Sequence, residues 1–531
     1  MQGDRPRLDL SGPILTGAFE NLVAGHLLKS GHHQQDTQGR DVEQRYFRDI
    51  EGREVTPADL RPYRSKRPWR VVLGEAEVGG RFDYWIYQLR GTARGRLSGN
   101  LDYRTRGGPL RLDVNELDLE LGRHVVNGEH VVFDEARAQG ALGFAPFRPR
   151  EDRGVALLRA LHFDLELDAD LESLAFLNVF LLDFQHFRVD GSGEVVGRLG
   201  YDRGVVQPGT DLAVAARNLE VGLMGHRIEG MGTVGLRMEE RTAGQMELAF
   251  YYGDLRVLHE TSGAELLTGQ GLMLQVGGDG RVLPDPDEIN ASRFIGLDIG
   301  RLNAPDFATF QRYLPERWPF RLHGGRGTLS GTVSIRPTAY AVDLALESDE
   351  ADFGIADYRF LGDLDAGLKL GNPSLTTRVA QADGSYLRIG DARLRRDDGV
   401  SEDSWSADVE LLRGRFDLIA KRRVAEHDVI DLFRILADEP VKTLLADADG
   451  AFDFRGQVSE LAWLGVFFGD RYRTRTAGSA QLEGTARLES GLPAPGTDIT
   501  LHSDGLLFNF LDYASRGRGK IDMAVEEGGE N

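Results

Sequence analysis

The sequence predicts a mainly β fold, an elongated, repetitive antiparallel sheet with short helices between the repeats. Three observations predict it. Glycine makes up 66 of the 531 residues and proline only 19, where glycine is ordinarily ~7% of a chain; this is a composition of strands and turns, not of a helical bundle. Apolar and polar residues alternate over long stretches, the period of a half-buried strand. One alternating pattern also returns four times.

Each copy opens on alternation around small residues: Gly95-x-Leu97-x-Gly99-x-Leu101, Gly193-x-Val195-x-Gly197-x-Leu199, Gly327-x-Leu329-x-Gly331-x-Val333 and Ala480-x-Leu482-x-Gly484-x-Ala486. A second alternating stretch follows, broken by two residues. In the first copy it reads Leu110, Leu112, Val114, then Leu117, Leu119, Leu121; in the second, Leu212, Val214, Ala216, then Leu219, Val221, Leu223. The third reads Val342, Leu344, Leu346, then Asp349, Ala351, Phe353; the fourth reads Ile499, Leu501, Ser503, then Leu506, Phe508, Phe510. The offset between the two stretches is 15, 19, 15 and 19 residues, the longer copies carrying the turn-rich inserts GVVQPG (204–209) and GLPAPG (491–496). Residues i and i+3 around a two-residue hairpin turn face the same side, so the break keeps one apolar face. Asp504-Gly505 suits such a turn, whereas at Asn115-Glu116 and Arg217-Asn218 a bulge in a continuing strand is the alternative. Further strands are expected at Phe163–Leu167, Met246–Phe250, Leu272–Val276 and Ala407–Leu411.

Before copies two, three and four, helical spacing appears over 171–187, 304–320 and 459–472, each roughly two to four turns. A helix is also expected over 15–31, and another over 425–447 that Pro440 ends or kinks. The chain therefore divides into a helix and polar loop (1–68), a first β repeat (69–170), three helix-plus-β repeats (171–300, 301–457 and 458–526) and a tail (527–531).

Several chemistries are disfavoured. With 63 basic and 84 acidic residues, net charge −21, a nucleic-acid surface lacks its positive footprint. The absence of cysteine removes disulfides and thiolate metal sites. The most apolar stretch, 174–184, is too short to span a bilayer. Gly191-Ser192-Gly193 and Gly325-Arg326-Gly327 sit in strands, without the helix that a dinucleotide site requires. The Asp285–Glu288 loop lacks the EF-hand spacing of a Ca²⁺ site and reads as solvated, and the His32-His33 pair reads as a flexible loop that would need further ligands to hold a metal. Carboxylate pairs such as Asp168/Asp170 and Asp447/Asp449 decorate strand faces or turns. No catalytic, cofactor-binding or metal-binding residue is assigned. The basic-aromatic run Arg61–Arg70 reads as a solvated connection, with contact to anionic lipid head groups as the alternative.

One strand face is polar, as at Arg111, Asp113, Asp118 and Glu120, and the other is continuously apolar. Such a sheet must bury the second face. It can close into a barrel, pack on another sheet, or curl into a trough whose floor holds something other than protein. Too few helices to cover every stripe, and units that continue one another without linkers, favour the trough.

The unit of an LNxFL-like segment (Leu177-Asn178-Val179-Phe180-Leu181) and strands such as 193–199, 327–333 and 480–486 with their partners resembles the AsmA-like, TamB-related bacterial proteins, over roughly residues 90–526. These are repeating β-groove, bridge-like lipid transfer proteins. The resemblance implies an open apolar groove (a β-taco), no enzymatic activity and no cofactor. It implies binding and passage of phospholipid or other lipid between inner and outer membrane. The implied location is the periplasm, with a membrane at one or both ends, possible protein partners in either membrane, and an inner-membrane anchor that this chain does not contain. The groove floor so implied is Leu112, Val114, Leu117 and Leu119; Leu212, Val214, Leu219, Val221 and Leu223; Val342, Leu344, Leu346 and Phe353; and Ile499, Leu501, Leu506, Phe508 and Phe510. A structural periplasmic scaffold with a closed protein core is the first rival, and a polysaccharide-acting β-solenoid enzyme the second.

Overall fold

The computed structural model describes residues 69–526 except 85–86, 102–109, 127–129, 149–150, 153–154, 180–186, 224, 239–244, 279, 282–293, 337–338, 356–357, 373–378, 397–400, 419, 421–440, 465–473 and 512. The expected helix over 15–31, His32-His33, most of the 61–70 run, the 285–288 loop, the 425–440 part of the last helix and the 527–531 tail lie outside the described residues.

The first repeat forms β1 (Trp69–Tyr84), β2 (Tyr87–Leu101), β3 (Leu110–Val126), β4 (His130–Phe147), the single turn α1 (Val155–Leu158) and β5 (Leu161–Leu171). The second forms β6 (Arg188–Asp190), β7 (Gly193–Asp202), β8 (Val205–Val206), β9 (Thr210–Leu223), β10 (His226–Met238), β11 (Met246–His259), β12 (Glu265–Gly278) and β13 (Phe294–Ala304). The third forms β14 (Phe320–Gly324), β15 (Gly327–Arg336), β16 (Ala339–Ile355), β17 (Tyr358–Asn372), β18 (Ala380–Gln381), β19 (Tyr386–Arg396), β20 (Ser401–Asp417), α2 (Val441–Asp447) and β21 (Asp449–Val458). The fourth forms β22 (Arg475–Ala477), β23 (Ala480–Glu489), β24 (Leu492–Pro493), β25 (Asp498–Phe510) and β26 (Tyr513–Ala524). All the strands expected from alternation are present.

The long strands pair antiparallel in chain order, from β1–β2 to β25–β26, as one meander. The short segments β6, β14 and β22 prolong β7, β15 and β23 against the same partners. Pairing continues through the boundaries at 170/171, 300/301 and 457/458, so the repeats share one sheet. Among the described residues β1 pairs only with β2 and β26 only with β25, so no edge-to-edge pairing closes a barrel.

The two-residue breaks are bulges in all four copies. Two residues stand opposite one: Asn115-Glu116 opposite Ala141, Arg217-Asn218 opposite Met231, Asp349-Glu350 opposite Asp363, and Asp504-Gly505 opposite Arg518. The hairpin expected at Asp504-Gly505 is therefore corrected: β25 runs straight through it. A bulge and a hairpin both keep i and i+3 on one face, and the bulge adds a bend and extra twist. The third copy is also corrected. Its alternation continues to Ser348, which is buried because its hydroxyl donates to Arg326 O at 2.6 Å; Asp349 belongs to the bulge and is exposed.

Each bulge from the second copy on presses against a joint in the preceding strand position. Gly191, Gly325 and Gly478 occupy these joints at φ 139°, 100° and 112°. A Cβ on Gly325 would stand 2.2 Å from Glu350 O, and one on Gly191 2.4 Å from Asn218 O. Only glycine fits there without displacing the bulge. The glycine motifs at 191–193 and 325–327 are thus backbone joints with no helix after them.

Of the three expected helical segments only 304–320 is described throughout, and its helix, Phe307–Tyr313, is shorter than expected. The described parts of the three are 3-10 turns at Ala175–Val179, Phe307–Tyr313 and Ala462–Leu464. Leu174 N and Phe307 N each donate to the joint glycine carbonyl, of Gly191 and Gly325, at 2.8 Å. Asn178 of the LNxFL segment accepts from Val189 N and donates to Val189 O, both at 2.8 Å, and Gln311 accepts from Leu322 N at 2.7 Å. These bonds pin the first two turns so that Leu174 and Phe307 enter the interior, and at the third Leu461 is likewise buried, with Leu461 N donating to Glu460 Oε1 at 2.8 Å.

The sheet is rolled. Trp318 precedes β14 at the lower edge, where β16 ends and β17 begins; Gly491 follows β23 at the upper edge, six positions along the meander. In a flat sheet a strand of that length covers about 55 Å and six positions add about 29 Å. Yet Trp318 Nε1 donates to Gly491 O at 2.8 Å.

Candidate functional site

The apolar face of the sheet carries the candidate site. Directly paired residues share a face, so the register defines lateral rows. One row runs Tyr252, Leu272, Ile299, Gly331, Leu344, Leu368. A second runs Val214, Val234, Phe250, Leu274, Leu297, Val333, Val342, Leu370. A third runs Leu302, Leu329, Leu346, Ala366, Leu387.

Burial changes along each row. Around β9–β13 the two arms of each bent strand share one core: Val214 with Val221, Val234 with Ile228, and Phe250 with Leu255. Leu174, Leu177 and Phe187 pack into it, the Phe187 and Phe250 rings meeting edge-on at 5.8 Å. Val221, Phe250 and Tyr252 are 0% exposed, each such side chain contributing about 1.5–3 kcal/mol by its burial. Around β15–β20 the core sits lower. Phe320, Phe353, Phe360 and Trp405 form a contiguous aromatic stack with centroid spacings of 5.7, 5.1 and 4.8 Å. Trp405 Nε1 donates to Glu460 O at 3.0 Å, and Tyr358 to Ala462 O at 3.1 Å. Above this stack Val333, Val342, Leu344 and Leu370 are half-buried, while Leu368 is 44% and Leu387 42% exposed.

The floor residues expected from sequence fall in three classes. Leu117, Val214, Leu219, Val221, Phe353 and Leu501 are buried by protein. Leu112, Val114, Leu119, Leu212, Leu223, Val342, Leu344, Leu346, Ile499, Leu506 and Phe508 are half-buried, and Phe510 is exposed. Sequence reasoning missed Leu368, Leu370 and Leu387. Period-two spacing through Ala366, Leu368 and Leu370 was the available signal.

The opposite face is charged and paired across strands. Arg198 Nε meets Asp164 Oδ1 at 2.7 Å, Arg217 meets Asp170 at 2.9 Å and Arg455 meets Glu410 at 3.0 Å. The Arg198 hydrogen bond holds the Asp164 carboxyl below the usual carboxylate range. On the apolar face, burial, with Asp417 adding to it, pushes the Tyr340 phenol up to about 12, and burial raises Tyr252 further. Among the described residues no cluster of three or more His, Asp or Glu suits a metal ion, and no helix is long and apolar enough to cross a membrane.

The arrangement can offer apolar contact along several strand positions, flanked by charged side chains on the other face. No family model, curated protein or solved structure matches this chain.

Proposed function

We propose that this chain binds lipid, in the manner of the AsmA-like proteins it resembles: the rolled sheet is an open apolar groove over β15–β20 that takes acyl chains and conducts phospholipid or another lipid between inner and outer membrane, from the periplasm. The observation that carries this reading is the row Tyr252–Leu272–Ile299–Gly331–Leu344–Leu368, which passes from 0% to 44% exposure without leaving the apolar face. An acyl tail of ~16 carbons costs on the order of 10 kcal/mol to hold in water, at about 0.8 kcal/mol per methylene. A floor of leucine and valine relieves that cost while the head group stays in water. Sliding along such a floor is nearly level in energy and needs no catalytic residue.

Lipid extraction and native mass spectrometry after detergent-free purification test the reading. Stoichiometric phospholipid is expected. The complete burial of Val221, Phe250 and Tyr252 favours a second reading, a scaffold with a closed protein core. A chain that purifies lipid-free, and stays so after incubation with phospholipid vesicles, would establish the second and exclude the first.

A further inference from the structure

We propose that residues 314–319 and α2 form a strap that ties the lower edge of the rolled sheet to its upper edge, and that opening the strap admits lipid to the apolar face beneath it. The inference rests on the lipid-binding reading. The strap's two anchor points, before β14 and after β23, bracket β15–β20 in the meander. The half-covered rows through Leu344, Leu368 and Leu387 therefore lie between them.

Each half is preformed. On the upper side α2 is fixed by Leu444 and Ala448, each 1% exposed. The 490–491 turn is tied to it by Gly491 N donating to Ala448 O at 2.6 Å and Ser490 N donating to Asp449 Oδ1 at 2.8 Å. On the lower side the Arg321 guanidinium donates to the carbonyls of Glu316, Trp318 and Phe320 at 2.7–2.9 Å, which stiffens the segment into a loop around one side chain. The halves then meet through polar contacts. Trp318 Nε1 donates to Gly491 O at 2.8 Å, Arg317 donates to the carbonyls of Ala446 and Ser490, and Glu316 faces Lys442 at 3.9 Å. Such contacts exchange readily with water. The sealed core around Phe250 does not. The joint between the two edges is therefore the place where the roll can open while its folded parts stay intact.

The chain contains no cysteine, so Glu316→Cys with Lys442→Cys places two unique thiols across the joint for a short bis-maleimide. Uptake of a pyrene-labelled phospholipid from phosphatidylcholine vesicles is expected to slow at least ten-fold in the joined chain. The unreacted double variant, which lacks the Glu316–Lys442 contact, is the reference for the joined chain, and Trp318→Phe, which loses the N–H donor and keeps a ring, should load several-fold faster than the parent. Equal uptake by joined and unjoined chains would overturn the strap. If no form takes up lipid, the lipid-binding reading fails, and hydrogen exchange decides the strap by itself. Trp318→Phe should then raise exchange over 441–447 and 490–491 while leaving β9–β13 unchanged. No change at 441–447 and 490–491 would overturn it.

Discussion

Tyr252 and Leu368 stand on one lateral row, five strand steps apart, and differ from 0% to 44% exposed. Both residues lie on the same sheet and the same apolar face. The difference lies in what reaches the face. Around β9–β13 both arms of each strand and the side chains of Leu174, Leu177 and Phe187 converge on one core. Around β15–β20 the large side chains, Phe353, Phe360 and Trp405, gather beyond the bend and leave the upper rows half-covered. Apolar alternation on one face thus yields a sealed core in one region and an apolar surface in the other.

Substitutions should therefore cost very different amounts in the two regions. Val221→Asp places a charge where no solvent reaches and should abolish cooperative folding, as read by circular dichroism and urea titration. Phe250→Ala should cost about 3–5 kcal/mol, whereas Leu368→Ala should cost less than ~1 kcal/mol, both from urea midpoints. Gly191→Ala and Gly325→Ala should cost alike, about 1–3 kcal/mol, because the joint constrains the backbone in both regions whatever covers it; a marked inequality would show that the bulges are not equivalent. Leu368→Asp and Leu387→Asp should leave the urea midpoint nearly unchanged and lower binding of a fluorescent acyl probe at least ten-fold. The smallest effect concerns Asp164, whose carboxyl is held below its ordinary value of 3.8 by Arg198. A depressed folded pKa stabilises at pH above the unfolded value and is lost as pH falls through the folded one. The stability difference between the parent chain and Asp164→Asn should therefore be present at neutral pH and vanish on acidification below pH 3.8.

Much of this architecture is legible in the chain. The four copies, their paired strands and the inserts all appear. The inserts even share one bond pattern, Thr210 Oγ1 bonding both Gly200 N and O as Thr497 Oγ1 bonds both Arg487 N and O. The nature of the breaks is not legible, since hairpin and bulge give the same parity. Ser348 escaped notice because a polar residue at an interior position looks like the end of an apolar run until its backbone partner is known. The turn at Phe307–Tyr313 is shorter than its apolar spacing suggests because a distant bond, Gln311 to Leu322, holds it. The candidate site was half legible. Val221 and Leu344 are both apolar at alternating positions, and only the path of other strands decides that one is sealed.

The most direct measurement uses the photo-reactive residue benzoylphenylalanine at Leu368 and, separately, at Tyr251. These positions are similarly exposed, 44% and 49%, and lie on opposite faces, Tyr251 being adjacent to buried Phe250. Irradiation in the presence of labelled phospholipid should cross-link lipid at position 368 and not at 251. Equal labelling at both positions, or none at 368, would contradict the account.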